Sequence, residues 1–89
     1  MIERETEIVN RLGLHARAAA KLVHTAGAFQ SRITLAKDGD EVDAKSILGI
    51  LLMAAAQGSQ LVVRTDGPDE QAAMDAVLKL IADRFDEEA

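Results

Sequence analysis

The chain changes from a strand pattern to a helix pattern within residues 10–27, NRLGLHARAAAKLVHTAG. Residues 10–14 include Gly13 and show no regular apolar period, which predicts a loop. From Ala16 onward apolar residues recur at helical spacing, and Gly27 is a typical stop signal, so we expect a helix over this segment. His15 therefore lies at the cap or in the first turn of this helix.

The segments on either side predict a small sheet. Residues 2–9 alternate with period two, which is typical of a strand with one solvated side. Residues 32–37 alternate again, and Asp38-Gly39 is the strongest hairpin signal in the chain, returning it antiparallel over residues 40–43. Residues 60–65 are rich in β-branched side chains and predict a fourth strand.

Two more helices are expected. Ser46 is a typical N-cap for a helix over residues 47–57, with Gly58 following its end. In Gly67-Pro68-Asp69-Glu70, proline at the first helical position predicts the start of the last helix. The apolar face of that helix comprises Ala73, Met74, Val77, Leu80 and Ile81. Residues 86–89 are expected to form a frayed, solvated end.

The predicted order is βαββαβα, which is an α+β arrangement. One-sided strands favour an open-faced β-sandwich, in which a four-stranded, mainly antiparallel sheet carries all three helices on one face. A chain of 89 residues has the size of one domain, and we expect residues 1–89 to form it.

Composition excludes several classes of function. The net charge is −5 and aromatic residues make up 2% of the chain, so the basic patch and stacking surface of a nucleic-acid binder are missing. The chain has no cysteine and only two histidines, so we expect no metal site. The N-terminus lacks the pattern of a secretion signal, and no apolar run is long enough for a membrane span. We therefore expect a cytoplasmic protein that does not bind membranes.

His15 and Arg17 are the residues best placed to carry chemistry. The backbone N–H groups of Ala16 and Arg17, at the start of a helix, form an anion site beside a nucleophilic imidazole. The Arg17 guanidinium can donate paired hydrogen bonds to a phosphate. By spacing alone, a histidine that caps a helix beside an arginine is more often structural than functional.

The helix after Ser46 leaves almost no polar face. Some of its apolar side chains should stay exposed as a partner surface, unless the helix is buried in the core; the pattern leaves both interpretations open. Ser46 is a simple N-cap by itself. A phosphate on it would place about two negative charges beside the apolar side chains.

Two motifs together resemble one known family. Residues 10–17, NRLGLHAR, precede an alanine-rich helix, and residues 45–50, KSILGI, follow about thirty residues later. This combination, together with the length and element order, is similar to HPr, the family of histidine-containing phosphocarriers of the phosphoenolpyruvate-dependent phosphotransferase system. The resemblance covers essentially the whole chain.

The resemblance implies a role for each motif. His15 matches the residue that accepts a phosphoryl group on Nδ1 from phosphorylated Enzyme I and passes it to a IIA protein or domain, with Arg17 assisting. Ser46 matches the position that HPr kinase/phosphorylase phosphorylates in some bacteria. Three apolar residues match the surface that docks onto partners: Ile47, Leu48 and Leu51. The carrier needs no cofactor of its own, because phosphoenolpyruvate and Mg²⁺ act through Enzyme I, and it is expected to be a monomer.

One residue departs from the family pattern. Ala18 replaces a proline that usually follows the active arginine and, at the first helical position, would preset the first turn, so we expect a looser helix start. The sequence also fits the branch of the family devoted to nitrogen regulation rather than sugar uptake. Two further functions compete with the carrier: a non-catalytic module that binds through the helix at residues 47–53, and a small-molecule sensor.

Overall fold

The computed structural model describes residues 1–89 and confirms the predicted order of elements. The strands and helices are β1 (Ile2–Glu7), α1 (Ala16–Gly27), β2 (Arg32–Lys37), β3 (Asp40–Asp43), α2 (Ile47–Met53), β4 (Gln60–Asp66) and α3 (Glu70–Ala82). A one-turn segment, Arg84–Asp86, follows α3. No helix is both long and apolar enough to cross a lipid bilayer.

The four strands form one antiparallel sheet in the order β1-β4-β2-β3. The hairpin between β2 and β3 turns at Asp38 and Gly39, which have φ angles of 52° and 87°, as a two-residue hairpin turn requires. Alternate residues of the central strands point to the helices and are buried. These are Ile33 and Leu35 of β2 with Leu61, Val63 and Thr65 of β4.

The helices close the core on this face of the sheet. Ala18, Ala19, Leu22 and Ala26 of α1 are buried, as are Ala73, Met74, Val77 and Ile81 of α3. The opposite face of the sheet is polar: Arg64 donates to carboxylate oxygens of Glu3 and Glu41, each at 2.6 Å. The hydrogen bond from Arg64, with another from Thr34, lowers the pKa of Glu41. The predicted open-faced β-sandwich is therefore confirmed.

Helix α2 is shorter than the sequence predicts, so the expected end near Gln57 is wrong. Ala54 has φ 52° and ψ 43°, a left-handed conformation that stops the helix after Met53. The carbonyl of Ala55 then accepts the Leu14 N–H at 2.9 Å, and Ala55 itself is buried. This long-range contact outweighs the helix preference of three consecutive alanines.

The start of α3 also differs from the prediction. Its N-cap is Asp69, so Pro68 precedes the helix instead of occupying its first position. The Asp69 carboxylate caps another part of the chain, accepting from the Ser31 hydroxyl and from the backbone N–H groups of Gln30 and Ser31. These hydrogen bonds, the Ser31 hydroxyl first, lower the pKa of Asp69 to about 2.

The expected frayed end after α3 is wrong. Arg84, Phe85 and Asp86 have φ angles of 58°, 54° and 64°, three successive left-handed residues without a glycine. Each costs about 1–2 kcal/mol in this conformation. Phe85 is fully buried, and its carbonyl accepts from Lys21 Nζ at 2.7 Å. These contacts hold the turn against α1, and the residues after it are tied down as well, since the Ala89 carbonyl accepts the Arg11 N–H at 2.9 Å.

Candidate functional site

His15 is the N-cap of α1. Its backbone is extended, with φ −74° and ψ 178°, and its side chain turns back over the helix start. The Arg17 N–H donates to Nδ1 of the ring at 3.3 Å. Because this nitrogen accepts a hydrogen bond, its lone pair is present and faces the free N–H groups of the helix start.

The other ring nitrogen meets a residue that sequence reasoning missed. Nε2 of His15 hydrogen-bonds to Oε2 of Glu87, which lies 72 positions further along the chain. The His15 side chain is 28% exposed and that of Glu87 15%. The hydrogen bond from His15, with a smaller contribution from Asn10, lowers the pKa of the Glu87 carboxyl. One ring nitrogen is thus covered by a carboxylate and the other by the backbone.

Asn10 supports both the loop and the carboxylate. Its side chain is completely buried. Its amide nitrogen donates to the Gly13 carbonyl at 2.8 Å and to Oε1 of Glu87 at 3.1 Å. Both partners are acceptors, so the amide can point only one way, and its oxygen is left without a hydrogen-bond partner. The orientation of Asn10 is therefore fixed by the carboxylate it holds.

Gly13 fits the loop onto the end of α2. It has φ 66°, and a Cβ atom there would lie 2.5 Å from the Ala55 carbonyl oxygen and 2.9 Å from Cα of Ala56. The next residue, Leu14, is buried and donates its N–H to the same carbonyl. Only glycine combines this backbone conformation with this close approach.

The predicted phosphate-binding groups lie together at the start of α1. The Ala16 N–H donates to no acceptor in the protein, while that of Arg17 is bonded to His15. The Arg17 side chain is exposed and pairs with no carboxylate. Ala18 is the third residue of the helix, not the first, and the helix starts regularly at Ala16. The expectation of a looser start is therefore not supported by this geometry.

Helix α2 is mostly exposed, so its interpretation as a buried core helix is wrong. Ile50 is the one buried residue of the helix. Exposure reaches 43% at Ile47, 64% at Leu48, 37% at Leu51 and 75% at Leu52. We call these four side chains the apolar surface. It is joined to the His15 loop through the contact between Leu14 and Ala55.

Ser46 caps α2 as predicted. Its hydroxyl oxygen accepts the Gly49 N–H at 3.2 Å, and the residue is half-buried. Both lysines near the two helix starts make hydrogen bonds: Lys45 donates to the Phe29 carbonyl at 2.8 Å, and Lys21 donates to the Phe85 carbonyl and lies 3.7 Å from a carboxylate oxygen of Asp86. Arg17 pairs with no carboxylate and lies two residues beyond His15; Arg11, in the preceding loop, is likewise exposed and unpaired.

Comparison with known proteins points to one family. A family model described as "PTS HPr component phosphorylation site" matches residues 2–83. The phosphocarrier protein HPr of Cupriavidus necator is 56% identical over 87 residues, with 98% of each chain covered. The crystal structure of HPr-C-His from Thermoanaerobacter tengcongensis matches at a TM-score of 0.97 and 44% identity, with both chains covered completely. A structure of an HPr dimer from the same organism matches at a TM-score of 0.79 and 44% identity, covering 98% of this chain and all of that one.

Proposed function

The chain belongs to the HPr family of phosphocarrier proteins, and we propose that it carries a phosphoryl group on His15 from phosphorylated Enzyme I to a IIA protein or domain. The observation that supports this most strongly is the state of the His15 ring. Nδ1 keeps its lone pair at the positive end of a helix, while Nε2 is occupied by Glu87. This is the arrangement that a nucleophile for a phosphoryl group needs.

The proposed transfer is a displacement between two nitrogen atoms. The Nδ1 lone pair forms the new N–P bond, and the N–P bond of the donor breaks and leaves its electron pair on the donor nitrogen. As the lone pair is used, the Arg17 N–H loses its acceptor and is free to donate to a phosphate oxygen. The unpaired N–H group of the exposed Ala16 lies in the same turn. The protein therefore acts as a covalent carrier, with much of the catalysis supplied by its partners.

Arg17 is the proposed charge partner of the phosphoryl group. It lies two residues beyond His15, and its exposed guanidinium has no other charge to neutralise. A planar guanidinium can donate two parallel hydrogen bonds to a phosphate. We expect it to stabilise the phosphoryl group both on His15 and during transfer.

The apolar surface is the proposed docking site for Enzyme I and IIA. Ile47, Leu48 and Leu51 are exposed on α2, a helix that packs against α1 and whose following residue Ala55 is bonded to Leu14 of the His15 loop. Exposed apolar patches commonly mark partner surfaces, and a small patch suits partners that must exchange rapidly. The carrier would act in the cytoplasm as a monomer, and phosphoenolpyruvate and Mg²⁺ would act only through Enzyme I.

Ser46 is the proposed regulatory position. A phosphate on its hydroxyl would sit at the start of α2, directly before the exposed Ile47 and Leu48. About two added negative charges there would weaken docking of an acidic or apolar partner surface. HPr kinase/phosphorylase, in an organism that has it, would be the modifying partner.

The test is intact-mass analysis after incubation with phosphoenolpyruvate, Mg²⁺ and an Enzyme I of demonstrated activity. We expect one acid-labile phosphoryl adduct on the wild-type protein and none on His15→Ala. Addition of a IIA domain should remove the adduct, and a comparison of sugar-specific with regulatory IIA domains identifies the branch. Absence of the adduct on folded wild-type protein would refute the carrier function and favour a module that only binds through residues 47–53.

The same assay tests docking and regulation. Ser46→Asp keeps a good N-cap residue while adding a negative charge, so folding should be unaffected and phosphorylation of His15 should slow about tenfold. Ser46→Asn, a neutral residue that also caps well, is the control. Equal rates for the two variants would show that charge at this position does not regulate docking.

A further inference from the structure

We propose that Glu87 is a positioning residue for phosphoryl transfer, holding the Nε2–H of His15 so that the lone pair stays on Nδ1. This inference rests on the proposed function, because it assigns Glu87 a part in the same transfer. An isolated neutral imidazole carries its proton on either nitrogen. In this molecule the hydrogen-bond partners fix which ring nitrogen carries the proton. A backbone N–H faces Nδ1, and a carboxylate, which can only accept, faces Nε2.

The carboxylate is held in place from behind. Its second oxygen, Oε1, accepts from the amide nitrogen of Asn10, which is fully buried. That amide cannot turn over, because its nitrogen also donates to the Gly13 carbonyl. The Asn10 oxygen is left unpaired, although buried polar atoms are nearly always satisfied. The fold thus accepts the free-energy cost of an unpaired buried oxygen at Asn10, the residue that orients Glu87.

The backbone just before Glu87 is also in an unfavourable conformation. Arg84, Phe85 and Asp86 all adopt positive φ angles. This turn reverses the chain after α3 and brings Glu87 back over the start of α1, with Phe85 in the core as its anchor. An ordinary exposed carboxylate would require neither this reversal of the chain nor the burial of Phe85. Strained conformations of this kind gather at functional sites.

The contact has a defined effect on the transfer. When Nδ1 bonds to phosphorus, the ring gains positive charge that spreads to Nε2–H. The negative charge of Glu87 stabilises that form, and the proton stays on Nε2 throughout. When the phosphoryl group leaves, the electron pair of the N–P bond returns to Nδ1. Orientation of a catalytic imidazole by a carboxylate on its other nitrogen is an established use of such a pair.

Asn10 makes the outcome of one substitution unusually specific. In Glu87→Gln, the fixed Asn10 amide must face the oxygen of the new side chain, so the NH₂ group must face Nε2 of His15. An NH₂ group demands a lone pair there, which moves the ring proton to Nδ1, where the Arg17 N–H opposes it. Glu87→Ala only removes the contact. The isosteric variant should therefore be the more damaging of the two.

The experiment measures the ring and the reaction separately. Ring ¹⁵N chemical shifts of His15, recorded at about pH 8.5 where an ordinary imidazole is neutral, give the tautomer. Single-turnover phosphorylation by phosphorylated Enzyme I gives the rate. The wild-type ring should carry its proton on Nε2. Glu87→Gln should shift it towards Nδ1 and slow transfer by on the order of 100-fold, and Glu87→Ala should slow it about tenfold.

Glu88→Gln is the matched control, since it makes the same charge change at an exposed neighbour. It should leave both measurements as in the wild type. Unchanged ring shifts in Glu87→Gln, or an altered tautomer without loss of rate, would overturn the inference, as would a rate loss shared by Glu88→Gln. If the wild type itself accepts no phosphoryl group, the proposed function fails and the positioning role with it, whatever tautomer the ring shifts report.

Discussion

Helices α1 and α2 begin in the same way and acquire different properties from their surroundings. Each starts at a residue with extended backbone whose side chain accepts an N–H of the first turn: His15 from Arg17 and Ser46 from Gly49. Ser46 has no further side-chain hydrogen bond, whereas His15 is also bonded to Glu87. The local hydrogen bond of Ser46 fixes only the start of α2. The two hydrogen bonds of His15 fix the start of α1 and also the orientation of Nδ1, the reactive nitrogen.

The difference originates outside the two helices. The His15 cap depends on the preceding Asn10–Leu14 loop and on the segment after α3, which brings Glu87 from 72 positions along the chain. The Ser46 cap depends on the next three residues alone. The two helix starts should therefore respond differently to substitutions elsewhere in the chain, and the contrast can be tested from the strongest effect to the weakest.

Phe85→Ala should have the largest effect, because it should remove the contact that distinguishes the His15 cap from the Ser46 cap. Removing a buried phenyl ring costs about 4 kcal/mol of unfolding free energy, and the left-handed turn loses its anchor. Urea denaturation measures the loss. Glu87 should then leave His15, so the His15 ring of the folded variant should give the same ¹⁵N shifts as the ring of Glu87→Ala, which lacks the carboxylate.

Phe85→Leu is the conservative control for this change. It keeps an apolar anchor and should cost about 1 kcal/mol, with the wild-type ring tautomer retained. If Phe85→Ala stayed folded with the wild-type tautomer, Phe85 would not be what delivers Glu87 to His15.

Gly13→Ala should have the next largest effect. Its Cβ would lie 2.5 Å from the Ala55 carbonyl oxygen at a φ of 66°, and strain with overpacking of this kind costs about 3 kcal/mol. Gly58→Ala is the matched control, because Gly58 has φ 91° but open space around its Cβ position. It should cost about 1 kcal/mol. Equal costs by urea denaturation would show that the loop does not pack tightly onto the end of α2.

The smallest effect is a difference in pH dependence. Ser46→Ala should cost about 1 kcal/mol at any pH, since a hydroxyl cap does not titrate. The cost of Glu87→Ala should depend on pH. Its carboxyl pKa is lowered in the folded state, chiefly by the hydrogen bond from His15, so the carboxylate stabilises the fold above its ordinary pKa and loses this effect in acid. The difference between wild type and Glu87→Ala should shrink between roughly pH 5 and 3.

Thermal unfolding of the three proteins across that pH range measures both trends. Parallel curves for wild type and Glu87→Ala would mean that the contact with His15 adds nothing to stability. A pH-dependent cost for Ser46→Ala would mean that the second cap is coupled to a titrating neighbour such as Asp43, whose carboxylate accepts the Lys45 N–H just before Ser46.

Local sequence signals predicted most of the fold because they act over a few residues. The Asp38-Gly39 turn, the strand alternation and the starts of α1 and α2 are all decided by neighbours in the chain. The same holds for His15 and Arg17, which share one helical turn. The exposure of α2 was left open by its uniformly apolar sequence, because both a core helix and a docking helix have this composition.

The missed features are those in which a distant contact overrides a local preference. Ala54 ends α2 without a glycine because the next residue is engaged by Leu14. The segment after α3 carries an acidic, chain-end composition that predicts fraying, yet Phe85 continues the buried stripe four residues beyond Ile81. That spacing was the one available signal. Nothing in the sequence pointed from Glu87 back to His15.

The two contacts to the His15 ring also differ in when they can form as the chain folds. The backbone contact spans 2 residues and arrives with the first turn of α1, whereas the contact to Glu87 spans 72. Closing a chain loop costs about 0.6 kcal/mol more for each doubling of its length. The distant contact is therefore made late, after the sheet and α3 have brought Glu87 near. In refolding experiments, Glu87→Ala should raise the unfolding rate and leave the folding rate unchanged.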